Sequence, residues 1–90
     1  MICHETVRLN NRLGLHLRAS AELVKIASKY RSRIKVGCGP LSVNGKSLLA
    51  LLTLAVSCGM NVTIIAEGDD ARQAMKAIKQ FLENRFENIG

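Results

Sequence analysis

Residues 13–20 read Leu-Gly-Leu-His-Leu-Arg-Ala-Ser, and within this stretch the periodicity of the sequence changes from that of a strand to that of a helix. Before it, apolar and polar residues alternate over residues 3–9, which predicts a strand with one buried face. After it, apolar residues recur at intervals of three and four from Leu17 to about Tyr30, which predicts an amphipathic helix. The predicted buried stripe of this helix comprises Ser20, Leu23, Val24 and Ala27.

A hairpin is predicted next in the chain. Residues 33–38 alternate between polar and apolar side chains, which indicates a second strand. Gly39 and Pro40 then form a tight turn into a short third strand over residues 41–43. The two strands are therefore expected to pair with each other.

A leucine-rich helix is predicted over residues 48–56, with Ser47 in position to cap its N-terminus. Residues 61–67 predict a fourth strand, and residues 67–70 are expected to cap a final helix with one apolar stripe. The order is βαββαβα, which predicts an α+β open-faced sandwich, with a four-stranded antiparallel sheet and three helices on one face. We expect a single domain over residues 1–90.

The composition limits where the protein acts and what it holds. No apolar run approaches the ~18 residues needed to cross a membrane, and the first residues lack the pattern of a signal peptide. We therefore expect a cytoplasmic protein without membrane insertion. Cys3, Cys38 and Cys58 lie far apart and form no metal-binding spacing, so we expect reduced thiols, no metal site and no cofactor.

The chain carries a net charge of +6, from 13 Lys and Arg residues against 7 Asp and Glu residues, which predicts attraction to an acidic partner. Its aromatic residues, Tyr30, Phe81 and Phe86, are not interleaved with basic residues, so the stacking platform of single-strand binders is missing. No nucleic acid partner is therefore expected. A basic RNA-binding domain is the most distant alternative, and it predicts steeply salt-dependent binding.

His16 lies at the predicted start of the first helix, where backbone amides lack intrahelical partners and the helix dipole favours anions. If this histidine carried a phosphoryl group, the amides of Leu17 and Arg18 and the Arg18 guanidinium would lie within reach of its oxygens. Gly14 permits close approach of the backbone. A histidine at such a position is more often a cap or a partly buried ring, and that alternative stays open at this point.

The second predicted helix carries leucines on more than one face. If Leu51 and Leu54 face the core, three leucines are left turned towards solvent: Leu48, Leu49 and Leu52. A small exposed apolar cluster indicates a reversible partner site, and a dimer interface fits the pattern equally well.

Two motifs together resemble the HPr family, the histidine-containing phosphocarriers of the bacterial phosphoenolpyruvate-dependent phosphotransferase system. Residues 14–20, Gly-Leu-His-Leu-Arg-Ala-Ser, resemble the phosphohistidine motif, and residues 46–55, Lys-Ser-Leu-Leu-Ala-Leu-Leu-Thr-Leu-Ala, resemble the regulatory serine segment. The resemblance covers essentially the whole chain. Two positions depart from the family pattern: Leu17 stands where a small residue is usual, and Ala19 stands where many members have proline.

The resemblance implies a phosphocarrier without cofactor, acting as a monomer, and not a stand-alone enzyme. His16 would accept a phosphoryl group on Nδ1 from Enzyme I and pass it to IIA-type acceptors, with Arg18 steadying the group. Ser47 would be a regulatory site for an HPr kinase/phosphorylase. The implied partner-binding residues are Leu17, Lys46, Leu48, Leu49 and Leu52. The alternative is a regulatory HPr-like module, nitrogen-type or kinase-controlled, that binds partners without feeding sugar transport.

Overall fold

The computed structural model describes residues 1–9, 15–57 and 61–85, so Gly14, Cys58 and Phe86 lie outside the described residues. The elements follow the predicted order and confirm the α+β class. They are β1 (Ile2–Arg8), α1 (Leu17–Ala27), β2 (Arg33–Cys38), β3 (Leu41–Asn44), α2 (Leu48–Ser57), β4 (Asn61–Glu67) and α3 (Ala71–Gln80), which continues into a π-helical turn (Phe81–Arg85). Predicted and observed bounds agree within three residues.

The four strands form one sheet in the order β1-β4-β2-β3, and every neighbouring pair is antiparallel. Because β4 lies between β1 and β2, this strand from the second half of the chain pairs with two strands from the first half. Alternate strand residues are buried under the helices: Val7, Ile34, Val36, Val62, Ile64 and Ala66. The opposite face of the sheet is open, as predicted for an open-faced sandwich.

The first helix buries Ala19, Ser20, Leu23, Ile26 and Ala27. Val24, which the periodicity placed in the stripe, is only partly buried, and Ile26 takes its place in the core. The helix also ends at Ala27, because the next turn tightens: the amides of Lys29 and Tyr30 bond to carbonyls three residues back, at 3.1 and 3.2 Å.

The predicted hairpin is confirmed, with Cys38 and Leu41 as the last pair of β2 and β3. Gly39 has a φ of +57°, a backbone angle that residues with a side chain rarely adopt, and Pro40 follows it. A glycine at the first of two loop residues is typical of the primed turns that match the twist of a hairpin.

Asp70 precedes α3, but its side chain does not cap that helix as residues 67–70 were predicted to do. Its carboxylate accepts hydrogen bonds from the backbone amides of Arg31 (2.8 Å) and Ser32 (2.9 Å) and from the Ser32 hydroxyl. The Ser32 hydroxyl, followed by the Arg31 amide, holds the pKa of Asp70 below its ordinary value. Gly68 permits this approach, since a Cβ there would lie 2.6 Å from the Ser32 Oγ.

The cysteine prediction is partly wrong. Cys3 is a free thiol, but Cys38 is disulfide-bonded and therefore not the reduced side chain expected. Within residues 1–9, 15–57 and 61–85, no cluster of three or more His, Cys, Asp or Glu side chains could hold a metal ion. None of the helices in those ranges is both long and apolar enough to cross a membrane.

Candidate functional site

His16 is the N-cap residue of α1, with extended backbone angles (φ −71°, ψ 176°). Nearby residues on both sides of His16 in the sequence are buried in the core. Leu15 is only 3% exposed and Ala19 is fully buried, and the buried Ser20 hydroxyl donates to the Leu15 carbonyl at 3.0 Å. The backbone beneath His16 is thus anchored in the core on both sides.

The imidazole of His16 is half-buried and its Nδ1 faces the start of the helix. This nitrogen accepts a hydrogen bond from the Ala19 amide at 3.4 Å, and the His16 carbonyl accepts from the Ser20 amide at 2.8 Å. Accepting a hydrogen bond requires a lone pair, so the lone pair of Nδ1 points towards the Ala19 amide. The Nδ1 side of the ring therefore lies at the positive end of α1.

Two amides at this helix end have no acceptor within the helix. The amides of Ala19 and Ser20 bond to His16, which leaves those of Leu17 and Arg18 in the first turn. The Arg18 side chain is exposed, and the first turn contains no acidic residue that would oppose an anion. The arrangement can bind an anionic group attached to Nδ1.

Ser47 caps α2, as the sequence predicted. Its Oγ accepts from the Ala50 amide at 3.2 Å and its carbonyl from the Leu51 amide at 3.0 Å, while its own amide donates to the Asn44 carbonyl at 3.1 Å. The side chain is half-buried.

Lys46 lies at the far end of α1 from His16. Its Nζ donates to the Tyr30 carbonyl at 2.6 Å, just beyond the C-terminus of α1, and its amide donates to the Asn44 side chain at 2.9 Å. At 1.5 Å per residue, the eleven residues of α1 separate its two ends by about 16 Å. The structure therefore does not bring the Lys46 ammonium to the imidazole.

The leucines of α2 are less exposed than the periodicity predicted. Leu49 is 76% exposed, whereas Leu48 and Leu52 are half-buried. The reason is the position of α2, which contacts β2 and β3 on one side and α1 on another, so that residues flanking its buried stripe are also partly covered. Leu17, at the start of α1, is 59% exposed.

Two contacts that position the backbone are not predicted by the sequence. Ser20 was placed in the buried stripe, but its bond to the Leu15 carbonyl was not foreseen; a serine inside an apolar stripe is the signal that indicates such a bond. The contact between Asp70 and the turn at Arg31 and Ser32 joins residues almost 40 positions apart, and no local pattern predicts it.

Comparisons with known proteins agree on one family. The family described as "PTS HPr component phosphorylation site" matches residues 3–84. The chain is 36% identical to "Phosphocarrier protein HPr" of Treponema pallidum (strain Nichols) over 83 residues, which cover 92% of this chain and 94% of that protein. It is 38% identical to the protein of the same name from Pseudomonas aeruginosa over 82 residues, covering 90% and 91%.

Solved structures of HPr proteins superpose on this chain over most of its length. The crystal structure of HPr-C-His from Thermoanaerobacter tengcongensis superposes with a TM-score of 0.86 at 39% identity, covering 93% of this chain and 94% of that one. A phosphocarrier protein HPr from Bacillus anthracis superposes with a TM-score of 0.83 at 28% identity, covering 91% and 98%.

Proposed function

Because the chain belongs to the HPr phosphocarrier family of the phosphotransferase system, we propose that it accepts a phosphoryl group on Nδ1 of His16 and passes it to another protein. The donor is Enzyme I and the acceptors are IIA-type proteins. The observation that carries this proposal is the direction of the His16 ring, whose Nδ1 faces the amides that begin α1. The reaction takes place in the cytoplasm, with the carrier acting as a monomer.

In the transfer step, the lone pair of Nδ1 attacks the phosphorus of the phosphorylated donor. The new N–P bond forms as the bond between phosphorus and the donor breaks, and the donor keeps that electron pair. Nε2 retains its proton during the attack, so the ring is positive beside the incoming phosphoryl group. Such transfers depend mainly on alignment and charge stabilisation, which suits a small carrier that docks on larger partners.

The start of α1 stabilises the phosphoryl oxygens. The amides of Leu17 and Arg18 are available as donors, and the Ala19 amide becomes a third once Nδ1 is bonded to phosphorus. The exposed Arg18 guanidinium can pair with two oxygens at once. Because this side chain is exposed, it can release the group when an acceptor offers a better site.

The docking surface in this proposal comprises Leu17, Leu48, Leu49 and Leu52, with Lys46 at the N-terminal end of α2. Leu17 and Leu49 are the most exposed of the leucines and provide the larger apolar contacts. The bond from Lys46 to the Tyr30 carbonyl makes that lysine a fixed positive charge rather than a mobile one. A contact built on a few leucines suits transient association.

Ser47 is the proposed regulatory site, modified by an HPr kinase/phosphorylase. A phosphate on its Oγ would lie at the N-terminus of α2, where the helix dipole favours negative charge. The added charge of about −2 would adjoin Leu48 and Leu49 and repel an acidic partner. Modification would therefore weaken docking without unfolding the helix.

The proposal is tested by incubation with phosphoenolpyruvate and Enzyme I. The wild type should gain one acid-labile phosphate, detected by intact-protein mass spectrometry, and His16→Ala should gain none. His4→Ala is the matched control, because His4 is the other histidine of the chain and lies exposed on β1. Equal phosphorylation of the wild type and His16→Ala would contradict the proposal.

A further inference from the structure

A groove of about 780 Å³ runs along β2 and β3, away from His16. Four basic side chains line it, together with a single carboxylate and a side-chain amide. They are Arg31, Arg33, Lys35, Lys46, Glu67 and Asn44. The volume lies within the range typical of small-molecule sites.

The charge of the groove is not neutralised internally. Four cations against one carboxylate leave a local net charge of +3. The ion pair between Lys79 and Glu5 lies outside the groove. In the described part of the chain, no side-chain hydrogen bond engages Arg31, Arg33 or Lys35, so all three present free donors to the groove.

The three free cations are arranged in a row. Arg33 and Lys35 are two residues apart on a strand, so they lie on the same face with their Cα atoms about 6.6 Å apart. Arg31 precedes them, and its backbone amide is fixed by the Asp70 carboxylate at 2.8 Å. The row is therefore held by the sheet and by the Asp70 contact, although the side-chain tips are exposed.

We propose that this groove binds a small polar molecule that carries a diphosphate group. Guanidinium groups pair with phosphate oxygens in a bidentate manner. A row of cations can bind two adjacent phosphate groups at once, whereas a ligand with a single carboxylate would engage only part of the row. Asn44 adds an amide for a polar substituent. None of the described residues that line the groove is aromatic, so they offer no stacking surface of the kind on which single-stranded RNA binding depends.

This site is separate from the phosphoryl site. The groove includes Lys46, whose ammonium lies at the C-terminal end of α1, whereas His16 begins that helix. Diphosphate binding therefore does not require His16, and failure of either proposal leaves the other standing.

The experiment is an NMR titration of the ¹⁵N-labelled full chain with inorganic pyrophosphate. Saturable amide shifts are expected at Arg31, Arg33, Lys35 and Asn44, and they should persist in His16→Ala. The double variant Arg33→Gln/Lys35→Gln should bind at least tenfold more weakly. Arg72→Gln/Lys76→Gln is the matched control, because it removes one Arg and one Lys from the exposed face of α3; its affinity should change less than twofold.

Glu67→Gln provides a test by gain of binding, which misfolding cannot imitate. Glu67 pairs with Arg33 across β2 and β4, and its carboxylate opposes an anion in the groove. Its neutralisation should tighten pyrophosphate binding severalfold. Equal weakening by the two double variants would overturn the proposal, and so would groove shifts with oligouridylate but none with pyrophosphate at the same phosphate concentration.

Discussion

The helices α1 and α2 begin with the same hydrogen-bond pattern around different side chains. In α1, the His16 ring and carbonyl accept from the amides of Ala19 and Ser20. In α2, the Ser47 hydroxyl and carbonyl accept from the amides three and four residues later. One backbone arrangement thus presents a nucleophilic nitrogen at one helix start and a hydroxyl at the other.

The two caps also differ in how the basic side chain near each of them is held. Arg18 follows His16 and is exposed, whereas Lys46 precedes Ser47 and is bonded to the Tyr30 carbonyl. In the proposed transfer, an exposed guanidinium can approach and leave the phosphoryl group. A fixed ammonium contributes a constant field and keeps the start of α2 against the end of α1. Under the proposed function, α1 would serve turnover and α2 a persistent state.

The largest expected effect tests this difference between the cations. Arg18→Gln should slow phosphoryl acceptance from Enzyme I by about tenfold or more, because it removes a charged donor from the transferring group. Loss of a preorganised oxyanion-hole donor typically costs ~100-fold or more, and a smaller effect is expected here because Arg18 is exposed. Lys46→Gln should slow it by no more than about twofold, since a fixed peripheral charge acts mainly on encounter. Rapid-quench kinetics measure both rates. If Lys46→Gln slowed the transfer more than Arg18→Gln, Lys46 rather than Arg18 would be the cation that stabilises the transferring group.

A smaller effect is expected from charge at the second cap. Ser47→Asp should keep α2 capped, because Asp is a good N-cap residue, but should lower kcat/KM with Enzyme I by about fivefold through its negative charge beside the docking leucines. Ser47→Asn is the control, since it caps equally well without charge. If the Asn variant is as slow as the Asp variant, charge is not the cause.

The two caps should also contribute different amounts to the stability of the protein. Ser47→Ala should lower the free energy of unfolding by about 1 kcal/mol, the usual cost of losing an N-cap hydroxyl. His16→Ala should cost clearly less, because its 3.4 Å contact is longer than a normal N–H bond. Urea denaturation of the two variants gives the comparison. Equal losses would show that the His16 ring holds α1 as firmly as the Ser47 hydroxyl holds α2.

The sequence predicts the Ser47 cap and leaves a His16 cap open as an alternative, because each depends on local chemistry. His16 and Ser47 stand immediately before periodic apolar segments, and the bonds they make span three or four residues. The exposure of Leu48 and Leu52 could not be predicted in the same way, since it depends on how α2 lies against α1 and the sheet. The cationic groove also depends on tertiary structure, because the register of β2 and β4 places Glu67 opposite Arg33.

The third helix start completes the comparison, because α3 has no side-chain cap bond. Asp70, at its N-cap position, directs its carboxylate to the turn at Arg31 and Ser32 and thereby joins α3 to the start of β2. A residue that suits a cap locally is thus used for a long-range contact. Asp70→Asn should therefore loosen the turn at Arg31 more than it frays α3.

The smallest expected effect is the pH dependence of this contact. Because the pKa of folded Asp70 lies below its ordinary value of 3.8, the unfolded chain takes up the proton more readily. The stabilisation is therefore fully present above 3.8 and is lost as the pH falls through the lower folded-state pKa. Asp70→Asn should be less stable than the wild type near pH ~7, and the difference should shrink towards pH ~3. Urea denaturation across this range measures it, with the exposed Asp69→Asn as control; an unchanging difference would mean that the contact does not depend on the charge of Asp70.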